Sequence, residues 1–222
     1  MIRESLIPDL VIDVDAEAVV IRAERPLRAV SSAIVGGGLV QARAIVNLHV
    51  PKGFQCADSE GHLAELARRR AVPTPFVGLL TGAATDKAEL ATEHLDGLSA
   101  SAVVTVGLSN RSAAGRSAQA MWRPSTINTI VIVDAEPEDA ALVNLVITAT
   151  EAKTLALAEA GISTREGGLV TGTSTDAVVV AATGRGPRCR FGGPVSALGW
   201  LVARAVKSAL DAGVARWVAE PR

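Results

Sequence analysis

The sequence predicts an α+β or α/β fold in a single domain, residues 1–222, with a mixed β-sheet or sheets covered by helices. A layered α-β-β-α sandwich with a pseudo-repeat is the alternative arrangement. Three observations lead there. Short Val/Ile-rich runs recur along the whole chain, helical stretches interrupt them without strict strand–helix alternation, and no linker composition divides them. A chain of 222 residues suits one core that buries roughly 70% of the unfolded surface.

The elements follow in order. Leu10–Val14 and 18–22 are short, rich in Val and Ile, and joined by Asp15-Ala16-Glu17, which reads as a hairpin. A Gly36-Gly37-Gly38 turn then separates two apolar stretches, the second at 44–50. Helix formers with basic residues near the end predict a helix over 59–70. PFVGLL (75–80) reads as a buried strand, and TGAATDKAELATEHL as a turn running into a helix. SAVVTVG (101–107) and INTIVIV (127–133) are strands. The helix over 137–159 has Asp134 ahead of it, Pro137 near its first turn and Gly161 as its stop. TGTSTD (171–176) leads into the strand AVVVAA (177–182), and a last helix covers 195–212. TGAATDK at 81–87 echoes TGTSTDA at 171–177, although such turns recur by chance in a chain rich in small residues.

Composition removes several function classes. Lys+Arg 22 against Asp+Glu 23 leaves a net charge of -1, without the basic footprint that nucleic acid requires. Aromatic residues are 3% with no Tyr, so stacking platforms for bases are scarce. Cys56 and Cys189 are too few for a disulfide scaffold. Glu4, Asp9, Asp13 and Asp15 interrupt the stretch where a signal peptide would need apolar residues, and no apolar run reaches the ~18 residues of a bilayer span. The expectation is a soluble, cytoplasmic protein.

No GxxxxGK[ST], HExxH, helix-opening GxGxxG or GxSxG elbow is present; Ser109 lies in GLSNR. His49, His62 and His94 lack metal-ligand spacing, with His62 and His94 expected on exposed helical stretches, so no metal site is expected. What remains is polar residues where polar residues are costly. Asn47 and His49 are two apart on one strand and share a face, either a solvent face or a site lining. Asn128 opens INTIVIV, where it caps a turn or reaches a ligand. On the apolar 137–159 helix, which reads as buried, Asn144, Thr148 and Glu151 form one polar stripe, while Thr150, Lys153 and Thr154 lie well round from it. One stripe faces solvent and the other lines a cavity. TGTSTD packs four hydroxyls, a carboxylate and a glycine turn into six residues. It reads either as a cradle for an anion or oxyanion, or as a turn whose hydroxyls satisfy their own backbone.

Taken in order, SSAIVGGGL, IVNLHV, VVTVGLSN, STINTIVIV, TATEAKTLAL, GLVTGTSTDAVVV and FGGPVSALGWLVARAV resemble the adenosylcobinamide amidohydrolase family, across a core of about 25–212. No single stretch is specific; their succession is. The chain departs from the family pattern at Ser125, where glycine is usual, and at Ser196, where threonine is usual. The resemblance implies hydrolysis of the amide joining aminopropanol to the corrin side chain of adenosylcobinamide, giving adenosylcobyric acid in cobamide salvage and remodelling. It implies a corrinoid small molecule as partner, with a homo-oligomer left open, and no cofactor beyond the cobalt inside the substrate. A corrinoid-binding protein without turnover and an unrelated threonine-nucleophile amidase are the competing readings.

Amide hydrolysis needs a nucleophile, an oxyanion stabiliser and an acid for the leaving amine. In one scheme Asp176 or Glu151 activates water, and the TGTSTD backbone or Asn128 holds the oxyanion; in the other Thr173 or Thr175 attacks, with Lys153 or His49 as base. The water route is preferred slightly, since nothing in the sequence marks one hydroxyl as uniquely activated. Gly36, Gly37, Gly38, Asn47, Ser109, Asn110, Asn128, Thr171 and Gly172 complete the candidate set on the substrate-binding side. Asp176→Asn and Glu151→Gln are each expected to lower turnover with stability within about 1 kcal/mol of the parent.

Overall fold

Strand β1 (Ile2–Glu4) pairs antiparallel with β2 (Leu10–Val14), and β2 in turn with the long β3 (Ala18–Ser31), closing the expected hairpin at Asp15. The computed structural model from which this is read describes residues 2–4, 7–51, 54, 56–119 and 125–220. The glycine turn connects β3 to β4 (Gly38–His49), with Gly36 and Gly38 at φ 69° and 84°, a region that side-chain-bearing residues rarely adopt. Helix α1 (Ser59–Arg69) leads to β5 (Phe76–Thr81), which runs parallel to β4. Then come β6 (Glu89–Leu95), β7 (Leu98–Val106), the short β8 (Arg111–Ser112), β9 (Ile127–Asp134) and β10 (Glu136–Pro137). Helix α2 (Asp139–Glu159), β11 (Gly172–Thr173), β12 (Ala177–Ala182), β13 (Arg188–Cys189) and helix α3 (Ala197–Ala219) complete the chain.

Nine strands form one mixed sheet in the order β1-β2-β3-β12-β9-β7-β6, with β4 on the other edge of β3 and β5 beyond it. The β3–β4 register breaks between Arg22 and Leu27, and the sheet folds over on itself. Strands β4 and β5 thereby face β7 and β9, to which they are not paired. Ile21, Ile45, Leu79, Val103, Ile130 and Val179 fill the space between the two sheet halves. Val131, Val133, Val180, Leu145 and Leu201 fill the space between β9–β12 and the helices α2 and α3; Val46, Leu63 and Leu66 pack α1 on the other side. The α-β-β-α layering is therefore the arrangement realised, within the expected α+β class.

This layering explains INTIVIV. In β9, Ile130 and Ile132 point between the sheet halves while Ile127, Val131 and Val133 point at the helices. A strand buried on both faces reads as a continuous apolar run.

Several boundaries differ from expectation. The 89–95 stretch is strand β6, not helix, so His94 sits on a strand. Asp96 and Gly97, at φ 49° and 78°, make the two-residue turn that clamps β6 onto β7, and cross-strand pairing overrides alanine and glutamate helix propensity. Pro137 pairs with Cys189 in the β10–β13 ribbon, so α2 starts at Asp139. Gly161, at φ 66°, follows its end as expected. Ser196 caps α3 by accepting from Gly199 N, and α3 continues past 212 to Ala219. Helix α2 is long and apolar enough to cross a membrane, with half of that window buried against the fold. Its other side leaves Val143, Ile147 and Leu155 exposed, so it is not buried all round as its composition suggested.

Candidate active site

Strands β4, β5 and β7 each carry a polar residue near the C-terminal end of the face between the sheet halves: Asn47, Thr81 and Thr105. Strand β9 begins at the same end and supplies Asn128. All four are 0–2% exposed. Burying them is tolerated because they bond to one another. Asn128 Nδ2 donates to Asn47 Oδ1 at 2.8 Å and to Leu80 O at 2.9 Å, and Asn47 Nδ2 donates to Thr105 Oγ1 at 3.0 Å. Thr105 Oγ1 donates on to Thr81 Oγ1 at 3.4 Å, and Thr126 Oγ1 donates to Asn128 Oδ1 at 3.3 Å and to Thr175 O at 2.7 Å. The network thus joins both sheet halves to the TGTSTD loop.

That loop carries the charge. Asp176 Oδ1 accepts from Ile127 N at 3.0 Å and Thr173 Oγ1 at 2.5 Å, while Oδ2 accepts from Thr173 N at 3.1 Å and the Lys153 ammonium. Four donors fill the acceptor positions of the carboxylate. The Lys153 and Asp176 side chains are 7% and 11% exposed, an ion pair sealed between α2 and the start of β12. Gly172 is required here: a Cβ on it would lie 2.2 Å from Asp176 Oδ2 and 2.7 Å from Lys153 Nζ.

Three cavities open beside this cluster. A cavity of about 180 Å3 is bordered by Ser125, Thr126, Ser174, Thr175 and Asp176, with an apolar wall that includes Val50, Leu79 and Leu80. A larger one, about 970 Å3, lies between the 109–118 and 164–169 segments. A third, about 170 Å3, reaches Lys87, Arg216 and Trp217. Ser125 borders all three. Its Oγ accepts from Ser109 N at 2.9 Å, and its carbonyl accepts from Thr175 Oγ1 at 3.1 Å. Gly107 leaves room for it, since a Cβ there would stand 3.2 Å from Ser125 Oγ.

The structure brings most of the sequence-derived candidates to this end of the sandwich. Asp176, Lys153, Thr173 and Gly172 form the charged cluster, and Asn47 and Asn128 the network beside it. Thr175, Ser109 and Asn110 border cavities, with Asn110 Nδ2 donating to Ser174 Oγ at 2.7 Å. Thr171 is structural in its contacts: its Oγ1 accepts from Ala114 N at 2.9 Å, and its carbonyl accepts from Thr154 Oγ1 at 3.3 Å. His49 is half-buried with Nδ1 2.9 Å from Ala83 O and borders none of the three cavities.

Glu151 and the triple glycine lie apart from this cluster. Glu151 is exposed, two residues from Lys153 and so on a different side of α2. Gly36, Gly37 and Gly38 border none of the cavities; Gly36 packs against β5, where a Cβ would stand 3.0 Å from Phe76 O. Of the two helix stripes, Asn144 and Glu151 face solvent and Lys153 faces the cluster, but Thr148 departs from its stripe by donating to Gly192 O in the interior. Sequence reasoning missed Thr81, Thr105, Ser125, Thr126 and Ser174. The first two had a signal, since PFVGLLT and SAVVTVG end their inward face on a hydroxyl just as IVNLHV ends on Asn47. Among the described residues, no group of three or more His, Cys, Asp or Glu is gathered closely enough to hold a metal ion.

Residues 5–222 match the adenosylcobinamide amidohydrolase family. The chain belongs to that family. An adenosylcobinamide amidohydrolase of Methanosarcina mazei is 30% identical over 189 residues, covering 81% of this chain and 86% of that protein. Among solved structures, the PH0078 protein from Pyrococcus horikoshii OT3 superposes with a TM-score of 0.52 at 14% identity, covering 97% of this chain and 82% of the other. That likeness concerns the fold alone. Membership makes the chain an amidohydrolase.

Proposed function

We propose that the chain hydrolyses the amide between aminopropanol and the corrin side chain of adenosylcobinamide, releasing adenosylcobyric acid and aminopropanol. The reaction belongs to salvage and remodelling of cobamides by a soluble cytoplasmic enzyme acting on a diffusible corrinoid. The cobalt enters with the substrate, and no step is assigned to a resident metal. One observation carries the reading: in a chain of this family, a hydroxyl, a carboxylate and an ammonium are hydrogen-bonded in series, Thr173–Asp176–Lys153, beside a set of cavities.

The series singles out one hydroxyl. Thr173 Oγ1 is the one candidate hydroxyl bonded to a carboxylate, which supplies the distinction the sequence lacked. In the mechanism that follows, Thr173 Oγ1 attacks the amide carbon and Asp176 takes its proton, while Lys153 offsets the charge change from the other carboxylate oxygen. The Ser174 hydroxyl, which borders the smaller cavity and accepts from Asn110 Nδ2, keeps its own hydrogen to donate to the developing oxyanion. The C–N bond then breaks, the aminopropanol nitrogen leaves with the proton held by Asp176, and water hydrolyses the Thr173 ester to cobyric acid and free enzyme. A second reading keeps water as the nucleophile, because Asp176 borders the smaller cavity and Thr173 does not.

The test is incubation with adenosylcobinamide and mass detection of adenosylcobyric acid and aminopropanol. Thr173→Ala abolishes turnover on the hydroxyl route and retains part of it on the water route. Intact-chain mass during turnover shows an acyl adduct only on the first. Turnover unchanged after exhaustive chelation agrees with the absence of a metal step.

A further inference from the structure

The largest of the three cavities carries a charge that the neutral amide of the substrate does not explain. Arg111, Arg116 and Arg165 border it against a single carboxylate, Glu166. Arg116 and Arg165, like Arg22, Arg25, Arg43 and Arg190, make no ion pair among the described residues, whereas Arg28, Arg68, Arg69, Arg70, Arg185, Arg188, Arg204 and Arg216 each meet a carboxylate. Arg111 is fixed: its Nη1 donates to Leu108 O at 3.2 Å and its guanidinium lies 5.6 Å from the Trp217 ring centroid. Its Nε is buried and has no acceptor among the described residues. Arg111 also faces Thr173 across the β8–β11 pairing, which sets this cavity directly beside the charged cluster. Ser125 and Ser174 border both the large and the small cavity, so a ligand can lie across the two.

We propose that this cavity is an anion-binding subsite, and that the anion it holds is the carboxylate created by amide hydrolysis. The inference rests on the reaction proposed above. Cleavage turns a neutral amide into a carboxylate and an ammonium, so the corrinoid gains its negative charge beside unneutralised guanidinium groups. Arginine is the side chain suited to grip a carboxylate through paired N–H donors. The product therefore binds more tightly than the substrate at low salt. Arg116 and Arg165 are exposed, so their share of the attraction falls as ionic strength rises.

Equilibrium dialysis of the full-length Thr173→Ala protein against adenosylcobinamide and against adenosylcobyric acid, each followed by corrinoid absorbance with mass detection that the amide stays intact, tests this without relying on turnover. At low salt the acid is expected to bind about 10-fold more tightly, with the ratio falling below about 3-fold at 1 M salt, where screening acts within roughly 3 Å. Arg116→Gln with Arg165→Gln removes most of the preference, and Arg165→Lys, which keeps the charge, retains most of it. Equal affinities at low salt, or a preference indifferent to both salt and the double variant, overturn the anion subsite while leaving the hydrolase reading intact. Binding of neither corrinoid, with no cleavage of adenosylcobinamide by the parent protein, overturns the hydrolase reading and this inference with it.

Discussion

Asn47 and Asn128 are 81 positions apart in the chain, and their side chains meet at 2.8 Å in the interior. One amide thereby ties β4 to β9 across the space between the sheet halves, most of which is filled by apolar side chains. Asn128→Ala would leave the Asn47 oxygen, Leu80 O and the Thr126 hydroxyl short of a partner. The expected cost is about 1–3 kcal/mol of stability, read from chemical denaturation. Asn128→Asp is expected to cost more, because it sets a carboxylate against the two oxygens that Asn128 Nδ2 now satisfies.

The Asp176–Lys153 pair revises an expectation. Read from sequence, Asp176→Asn was a change that spares stability. With the two side chains 11% and 7% exposed, removing either partner leaves an uncompensated charge and costs about 3–5 kcal/mol. Asp176→Asn and Lys153→Met are expected to lose both turnover and stability, while the double variant is less destabilised than the sum of the singles. A thermodynamic cycle checks this, and additive singles would mean the two groups do not depend on each other.

Glu151→Gln is the contrast. Its side chain faces solvent, so turnover on adenosylcobinamide should stay at the parental level and stability within about 0.5 kcal/mol. A variant with turnover reduced tenfold would return Glu151 to the site.

Gly172→Ala probes close approach. The added methyl would meet Asp176 Oδ2 at 2.2 Å and Lys153 Nζ at 2.7 Å, so the ion pair must open or the β8–β11 ribbon must shift. The expected cost is about 1–3 kcal/mol, together with loss of turnover measured under conditions where the variant remains folded.

Asp15 governs acid tolerance at the first hairpin. Burial acts to raise its pKa, but hydrogen bonds from Ala18 N and Glu17 N and the Arg70 guanidinium outweigh it and hold the value below 3.8. A carboxyl depressed on folding contributes stability above its unfolded pKa and loses it as pH falls through the folded value. Thermal midpoints of the parent should therefore fall faster than those of Asp15→Asn as pH drops from about 5 to 2. Parallel curves would show that Asp15 contributes nothing to the acid limb.

The sequence revealed strand and helix identity well where burial dominates, as in β9 and α2, and poorly where pairing decides, as in β6. There Ala88, Glu89 and Ala91 favour helix locally, and only the Asp96-Gly97 turn hints at a hairpin. Within the site, Asp176, Lys153, Thr173, Asn47 and Asn128 stood out because polar residues inside apolar runs must find partners. Their partners did not, since no periodicity shows that Asn47 meets Asn128 or that Ile127 N meets Asp176. The exposed position of Glu151 was not legible for the related reason that a nearly all-apolar helix gives little indication of which side is inward; Val143, Ile147 and Leu155 are as apolar as the buried positions yet exposed.

The hydrogen bonds that converge on Asp176 come from the first residue of β9, the middle of α2 and the turn before β12. None of these segments can build the charged cluster with its sequence neighbours alone, because β9 and β12 run parallel and need the whole intervening crossover to align them. On the mechanism proposed above, catalytic competence is then expected late in folding, after long-range loop closure. A nascent chain that has not yet reached β12 cannot assemble the cluster, and recovery of turnover during refolding is expected to report completion of the crossover rather than collapse of the core.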